Sequence, residues 1–280
     1  MKKRKITREL VKLFSEYLHQ DEKSETTIKK YMRDLGTFEE FSGGRDIDKN
    51  FVLSYKEMLT EKYAITSENS MLAALNSFFR FCGWEELCVK QFKIQKKTYC
   101  SEEKELTKGE YLRLIETAEK SNNERLSLVI QTICGTGIRV SELAFITVEA
   151  LYRSEAIVSC KGKTRTVFIV SALRKKLLRY AKKQGIENGI LFVTKNGKAL
   201  DRSNIWREMK SLCEEARVNP EKVFPHNLRH LFARTFYSIE KDIAKLADIL
   251  GHSSINTTRI YIITTGAEHK RRMENMRLIA

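Results

Sequence analysis

Through the first hundred positions, apolar residues recur at helical spacing. Leu10, Leu13, Phe14, Tyr17 and Leu18 fall on one helical face, and Ile28, Tyr31, Leu35 and Phe38 repeat the pattern. Gly43 and Gly44 interrupt the run. A third stripe carries Phe51, Val52, Tyr55, Met58 and Leu59, and a fourth carries Met71, Leu72, Leu75, Phe78 and Phe79, ending near Gly83. Four short amphipathic helices predict a small bundle whose aromatic stripes are core rather than a base-stacking platform. Between the stripes lie Lys29, Lys30, Arg33 and Arg80, which either meet phosphates or solvate a face.

From Lys90 to Lys104 the periodicity fails, and Lys93 to Thr98 is polar and basic, as a linker would be. The expected division is a helical domain over 1–92, a linker over 93–105 and a second domain over 106–280 that closes with a tail helix. Thr107 and Glu110 form a capping-box pattern that starts a helix. A second helix, from Leu126 to Cys134, is expected to stop at Gly135. Stretches 156–160 and 166–170 read as strands joined by a tight turn at Gly162 and Lys163. Helices resume near Leu173, with one short extended piece over 190–193. The fold class is mainly α with a small β-sheet (α+β).

Composition narrows the partners. At 280 residues and about 150 per domain, two domains are expected. Fifty-one Lys and Arg against 36 Asp and Glu leave a formal net charge of +15, which calls for a polyanion. No stretch approaches the roughly 20 apolar residues of a membrane span, which leaves nucleic acid. The basic start, Met1 to Lys5, is followed by charges too dense for a signal peptide. Six cysteines at irregular spacing, without a C-x-x-C pair, read as reduced thiols of a cytoplasmic protein rather than as a metal or disulfide framework.

Four places hold polar residues that a purely structural account explains poorly. Gly135 and Gly137 flank a tight turn that delivers Arg139 at the mouth of the next helix. In Pro225 to His230, helical geometry puts His226, Arg229 and His230 on one face, where three cations would repel unless an anion lay among them. Gly251 ends a helix as a C′ residue and leaves His252 in the turn. Nine positions later, Tyr261 follows Asn256 to Ile260, which form a short helix. Taken singly, each has an ordinary explanation as a surface cation, a structural histidine or a core tyrosine.

Their order does not. The motifs T-G-I-R-x-S-E-L, H-N-L-R-H, L-G-H-S-S and T-T-x-I-Y resemble those of the tyrosine recombinase (phage integrase) family across most of 107–263. The resemblance implies an N-terminal helical core-binding (SAM-like) domain and a C-terminal catalytic domain. It implies that Arg139, His226, Arg229 and His252 are catalytic, with Tyr261 as nucleophile. It also implies a lysine on a β-hairpin. Here the hairpin reads Ser159 to Arg165, one residue shorter than the family's G-K-G-x-K-x-R, so Lys161 is the choice and Lys163 the understudy.

Chemistry fits those residue types. Two always-ionised guanidiniums hold the non-bridging phosphate oxygens and offset the charge that gathers there. A protonated tyrosine is a weak nucleophile, so Tyr261 needs a proton acceptor or strongly positive surroundings, and His226 suits the base role. His252 adds a hydrogen bond and the lysine protonates the leaving 5′ oxygen. The resemblance implies a 3′-phosphotyrosyl intermediate that needs no ATP, metal or other cofactor. It implies double-stranded DNA with specific core sites as partner, a homotetramer on DNA, and an accessory or directionality protein. Two basic domains on a basic linker suit a clamp around the duplex. A chain that begins directly with the helical domain points to a two-domain recombinase of the Xer or Cre kind, serving mobile-element integration, inversion or dimer resolution. The rivals are a type IB topoisomerase-like enzyme, and an accessory DNA-binding protein that kept the fold without the chemistry.

Overall fold

The computed structural model describes residues 4–94, 104–160, 163–194, 196–262 and 266–276. The chain divides into two compact units, Met1–Lys96 and Lys97–Ala280.

The first unit is built of α1 (Arg8–Gln20), α2 (Glu25–Ser42), α3 (Lys49–Lys62) and α4 (Ile65–Phe81), closed by a 3-10 turn over Glu85–Leu87. Thr7, Ser24 and Asp48 each accept a hydrogen bond from a backbone N–H in the first turn they precede, which fixes where three of the helices begin. Gly43 ends α2 in the left-handed region at φ +53°. Phe14, Leu18, Leu35, Phe38, Tyr55, Leu72, Phe78 and Phe79 form the core. Leu13 and Tyr17, at the margin of the first stripe, stay 46 % and 39 % exposed, while Phe14 and Leu18 are buried. Of the basic residues noted above, Lys30 and Arg33 meet buried Asp34, with Lys30 Nζ 2.5 Å from its carboxylate.

The second unit contains α5 (Lys108–Lys120), α6 (Glu124–Thr136), α7 (Val148–Arg153), β1 (Glu155–Cys160), β2 (Lys163–Phe168), α8 (Ser171–Lys183), α9 (Arg202–Ser211), α10 (Pro225–Glu240), α11 (Ile243–Leu250), α12 (Ile255–Arg259) and α13 (Gly266–Asn275). Apolar α6 is its axis and packs against α5, α8, α9 and α10. The Thr107–Glu110 capping box forms as expected. Among the described residues no helix is long and apolar enough to cross a membrane.

Two local expectations change. Helix α6 runs through Gly135 and ends at Gly137, which takes the left-handed conformation at φ +66°. Gly135 has no such requirement and stays helical. The antiparallel hairpin pairs Glu155 with Phe168 and Cys160 with Lys163, so β2 begins at Lys163 rather than at Thr166. That register makes Lys163 a strand residue; Lys161 and Gly162 lie outside the described residues.

Candidate active site

Arg229 is the largest fully buried side chain among the described residues, 1 % exposed. Helix α10 carries it into the interior between the ends of two other helices. Its Nη1 donates to Gly137 O at 2.5 Å and its Nη2 to Leu250 O at 2.7 Å. Those carbonyls close α6 and α11, so two helix C-termini, each with a partial negative charge, face the guanidinium. Burial and the nearby Arg139 charge lower its pKa to about 10, still cationic at neutral pH. Gly137 is required there: a Cβ would stand 2.4 Å from the Phe232 ring, in a backbone conformation that side chains resist.

Arg139 precedes a 3-10 turn over Val140–Phe145 and is held by Glu142, three residues on. Glu142 Oε2 accepts from the Arg139 backbone N–H and Oε1 from its Nη1, both at 2.8 Å. Arg139 Nη2 also donates to Gly251 O at 3.4 Å. Burial acts to raise the pKa of Glu142, but hydrogen bonds from Arg165 and Arg139 outweigh it and hold the carboxyl below its ordinary value.

His252 follows Gly251, the left-handed cap of α11. Its Nε2 lies 2.9 Å from Arg229 Nη2, and its Nδ1 lies 2.9 Å from Thr258 Oγ1. A guanidinium can only donate, so Nε2 accepts and the ring proton sits on Nδ1, directed at Thr258. Burial, then the Arg229 and Arg139 charges, push its pKa down to about 4.

Tyr261 comes two residues beyond α12 and is 6 % exposed. Its hydroxyl lies 3.3 Å from His226 Nε2. Its ring stacks on His230 at 4.3 Å between centroids, with the His252 ring at 5.1 Å and Arg229 Cζ 5.8 Å from its centre. Burial and neighbouring guanidiniums lower the pKa of His226, and burial lowers that of His230 to about 4. The expected cluster of three cations is therefore one cation and two neutral imidazoles, which removes the repulsion.

Arg139, His226, Arg229, His252 and Tyr261 thus meet in one place. Lys161 lies outside the described residues, and Lys163 opens β2. Sequence reasoning gave no role to Glu142, Arg165 or Thr258, and left His230 as one of a cationic face. Glu142, Arg165 and Thr258 all stood inside the quoted motifs. Among the described residues no group of three or more His, Cys, Asp and Glu side chains is arranged to hold a metal ion.

The phage integrase family matches residues 104–267, and its N-terminal SAM-like domain matches 11–86. The chain is 30 % identical over 288 residues to the tyrosine recombinase XerA of Pyrococcus furiosus, covering 100 % of this chain and 98 % of the relative. It is 26 % identical over 269 residues to the tyrosine recombinase XerD of Oceanobacillus iheyensis, covering 88 % and 90 %. A crystal structure of XerA recombinase is similar at 27 % identity and a TM-score of 0.55, covering 98 % of this chain and 100 % of that one. A lambda integrase fragment bound to a core site shares the fold at 17 % identity and a TM-score of 0.76, covering 94 % and 97 %. The chain belongs to the phage integrase family, the tyrosine-type site-specific DNA recombinases.

Proposed function

We propose that this recombinase cuts and rejoins duplex DNA at specific core sites through a 3′-phosphotyrosyl link to Tyr261. The observation that carries the reading is the Tyr261 hydroxyl 3.3 Å from His226 Nε2, beside the buried Arg229 guanidinium. Tyr261 Oη bonds to phosphorus as the P–O5′ bond breaks. His226, its pKa held below the ordinary value, takes the phenolic proton. Arg139 and Arg229 bind the non-bridging oxygens, and His252 joins them once its Nε2 is released from Arg229 and carries the ring proton, which in the structure sits on Nδ1. A hairpin lysine, Lys161 or its understudy Lys163, protonates the leaving oxygen. The phosphoryl group stays activated on tyrosine, so the 5′ hydroxyl of a second strand reverses the step without ATP, metal or cofactor.

On this reading residues 1–92 are the core-binding domain, 93–105 the linker and 106–280 the catalytic domain. Phosphate contacts by both units supply most of the affinity, which falls steeply with salt. A homotetramer on paired sites is the working assembly, as a lambda integrase of this fold forms a tetramer on a Holliday junction. The tail helix docks either on a neighbouring protomer or on its own chain, an accessory protein sets direction, and the protein works in the cytoplasm on chromosomal or mobile-element DNA.

Denaturing capture of protein-linked DNA from cells carrying the gene's native flanks tests the reading. The wild type is expected to yield covalent DNA with clustered ends, and Tyr261→Phe none. Scattered ends would favour a topoisomerase; covalent DNA from Tyr261→Phe would reject the nucleophile.

A further inference from the structure

Arg165 is not among the five residues gathered at Tyr261, yet it joins the segments that hold them. From β2 its side chain, 13 % exposed, forks onto Glu142, with Nη1 3.1 Å from Oε1 and Nη2 2.8 Å from Oε2. Together with the two bonds from Arg139, these fill the four lone-pair directions of one buried carboxylate. Arg165 Nε also donates to Ile249 O at 3.1 Å. Three consecutive carbonyls at the end of α11 therefore each accept from a different arginine: Ile249 from Arg165, Leu250 from Arg229 and Gly251 from Arg139. Gly251 leaves room for this, since a Cβ there would stand 2.6 Å from Arg165 Cδ.

The arrangement has an electrostatic consequence. Two guanidiniums share one carboxylate, so net positive charge remains beside the site. Without Arg165, Glu142 would pair with Arg139 alone and offset the charge the phosphate needs, while the α11 turn would lose one of its three anchors.

We propose that Arg165 is a positioning residue for phosphate activation, holding Arg139 and the α11 turn in place and keeping Arg139 only partly neutralised. The proposal rests on the strand-exchange reading above and assigns a residue to the charge-binding half of that chemistry.

The test uses the full chain and nicked duplexes carrying the sequence of the captured ends. Three scissile linkages are compared: the phosphodiester, a methylphosphonate lacking one charged oxygen, and a 5′-bridging phosphorothiolate whose leaving group needs no acid. On the phosphodiester, Arg165→Met is expected to cleave about 100-fold more slowly than wild type. On the methylphosphonate, where there is less charge to offset, the gap should shrink to a few-fold; on the phosphorothiolate it should persist. Arg165→Lys, which keeps the charge but not the fork, should fall between, and it carries the comparison if Arg165→Met fails to fold. An equal deficit on all three linkages would reduce Arg165 to a fold-holding role and overturn the proposal. Rescue by the phosphorothiolate alone would overturn it in favour of the leaving group. Absence of covalent DNA from the wild type would instead reject the strand-exchange reading.

Discussion

The interiors of the two units are built on different terms. In the first, aromatic rings meet edge to face, as Phe38 does with Tyr55 at 4.7 Å and Phe14 with Phe78 at 5.3 Å. In the second, beside an aliphatic core around α6, the largest side chain shut away from solvent is a charged arginine with helix-end carbonyls and a histidine as partners. The first interior is specified mostly by volume, although Asn76 is also buried there and pairs with the Val89 backbone through both of its amide atoms. The second is specified around Arg229 and Glu142 by donors and acceptors that each serve several partners, and a substitution there leaves something buried and unsatisfied.

The sharpest way to break the contrast is Arg229→Lys. An ammonium cannot serve the Gly137 and Leu250 carbonyls together as the fork does, and on the proposed function it is a poorer partner for phosphate, so cleavage is expected to fall by about 10²–10³-fold. Stability of the second unit should fall too, by about 1–3 kcal/mol for each carbonyl left without a donor. Single-turnover cleavage and denaturant unfolding followed at Trp206 would measure both.

Phe38→Ala is the matching change in the first unit. Phe38 is 0 % exposed, and its loss should cost about 3–5 kcal/mol. The transition reported by Trp84 should move while that of Trp206 stays. Movement of both together would mean that the units unfold as one.

A third test is pH dependence. His230 and His252 are both depressed to about 4, below the unfolded value near 6.5. The folded site therefore refuses protons that the unfolded chain accepts. Their contribution to stability is complete above pH 6.5 and is lost as pH falls from there to about 4. Urea midpoints for the second unit at pH 7.5, 6 and 5 should decline in that order, with less change in the first. Cleavage should decline on the acid side as well, as His226 becomes protonated.

How much of this was legible in the sequence follows the same divide. Apolar spacing marked the four helices of the first unit, because burial by volume leaves a periodic trace. Chain order of motifs marked Arg139, His226, Arg229, His252 and Tyr261. Local chemistry missed what long-range packing decides. Gly135 and Gly137 look alike in sequence, yet only the second meets Phe232 and offers its carbonyl to Arg229. Thr166 reads as well as Lys163 for a strand start until the hairpin register is known. Glu142 and Arg165 are 23 positions apart, and nothing in either stretch alone announces that they pair.

Arg229 also bears on how the protein breathes. Its two carbonyl partners belong to segments far apart in the chain, the end of α6 and the end of α11, and its third partner, His252, leads into α12 and Tyr261. The guanidinium is thus a latch across that junction. Amide exchange at the end of α6 and through α11 and α12 should accordingly report a single opening unit. A fluctuation that frees Tyr261 would then release the Arg229 guanidinium as well, so these groups are held or let go together.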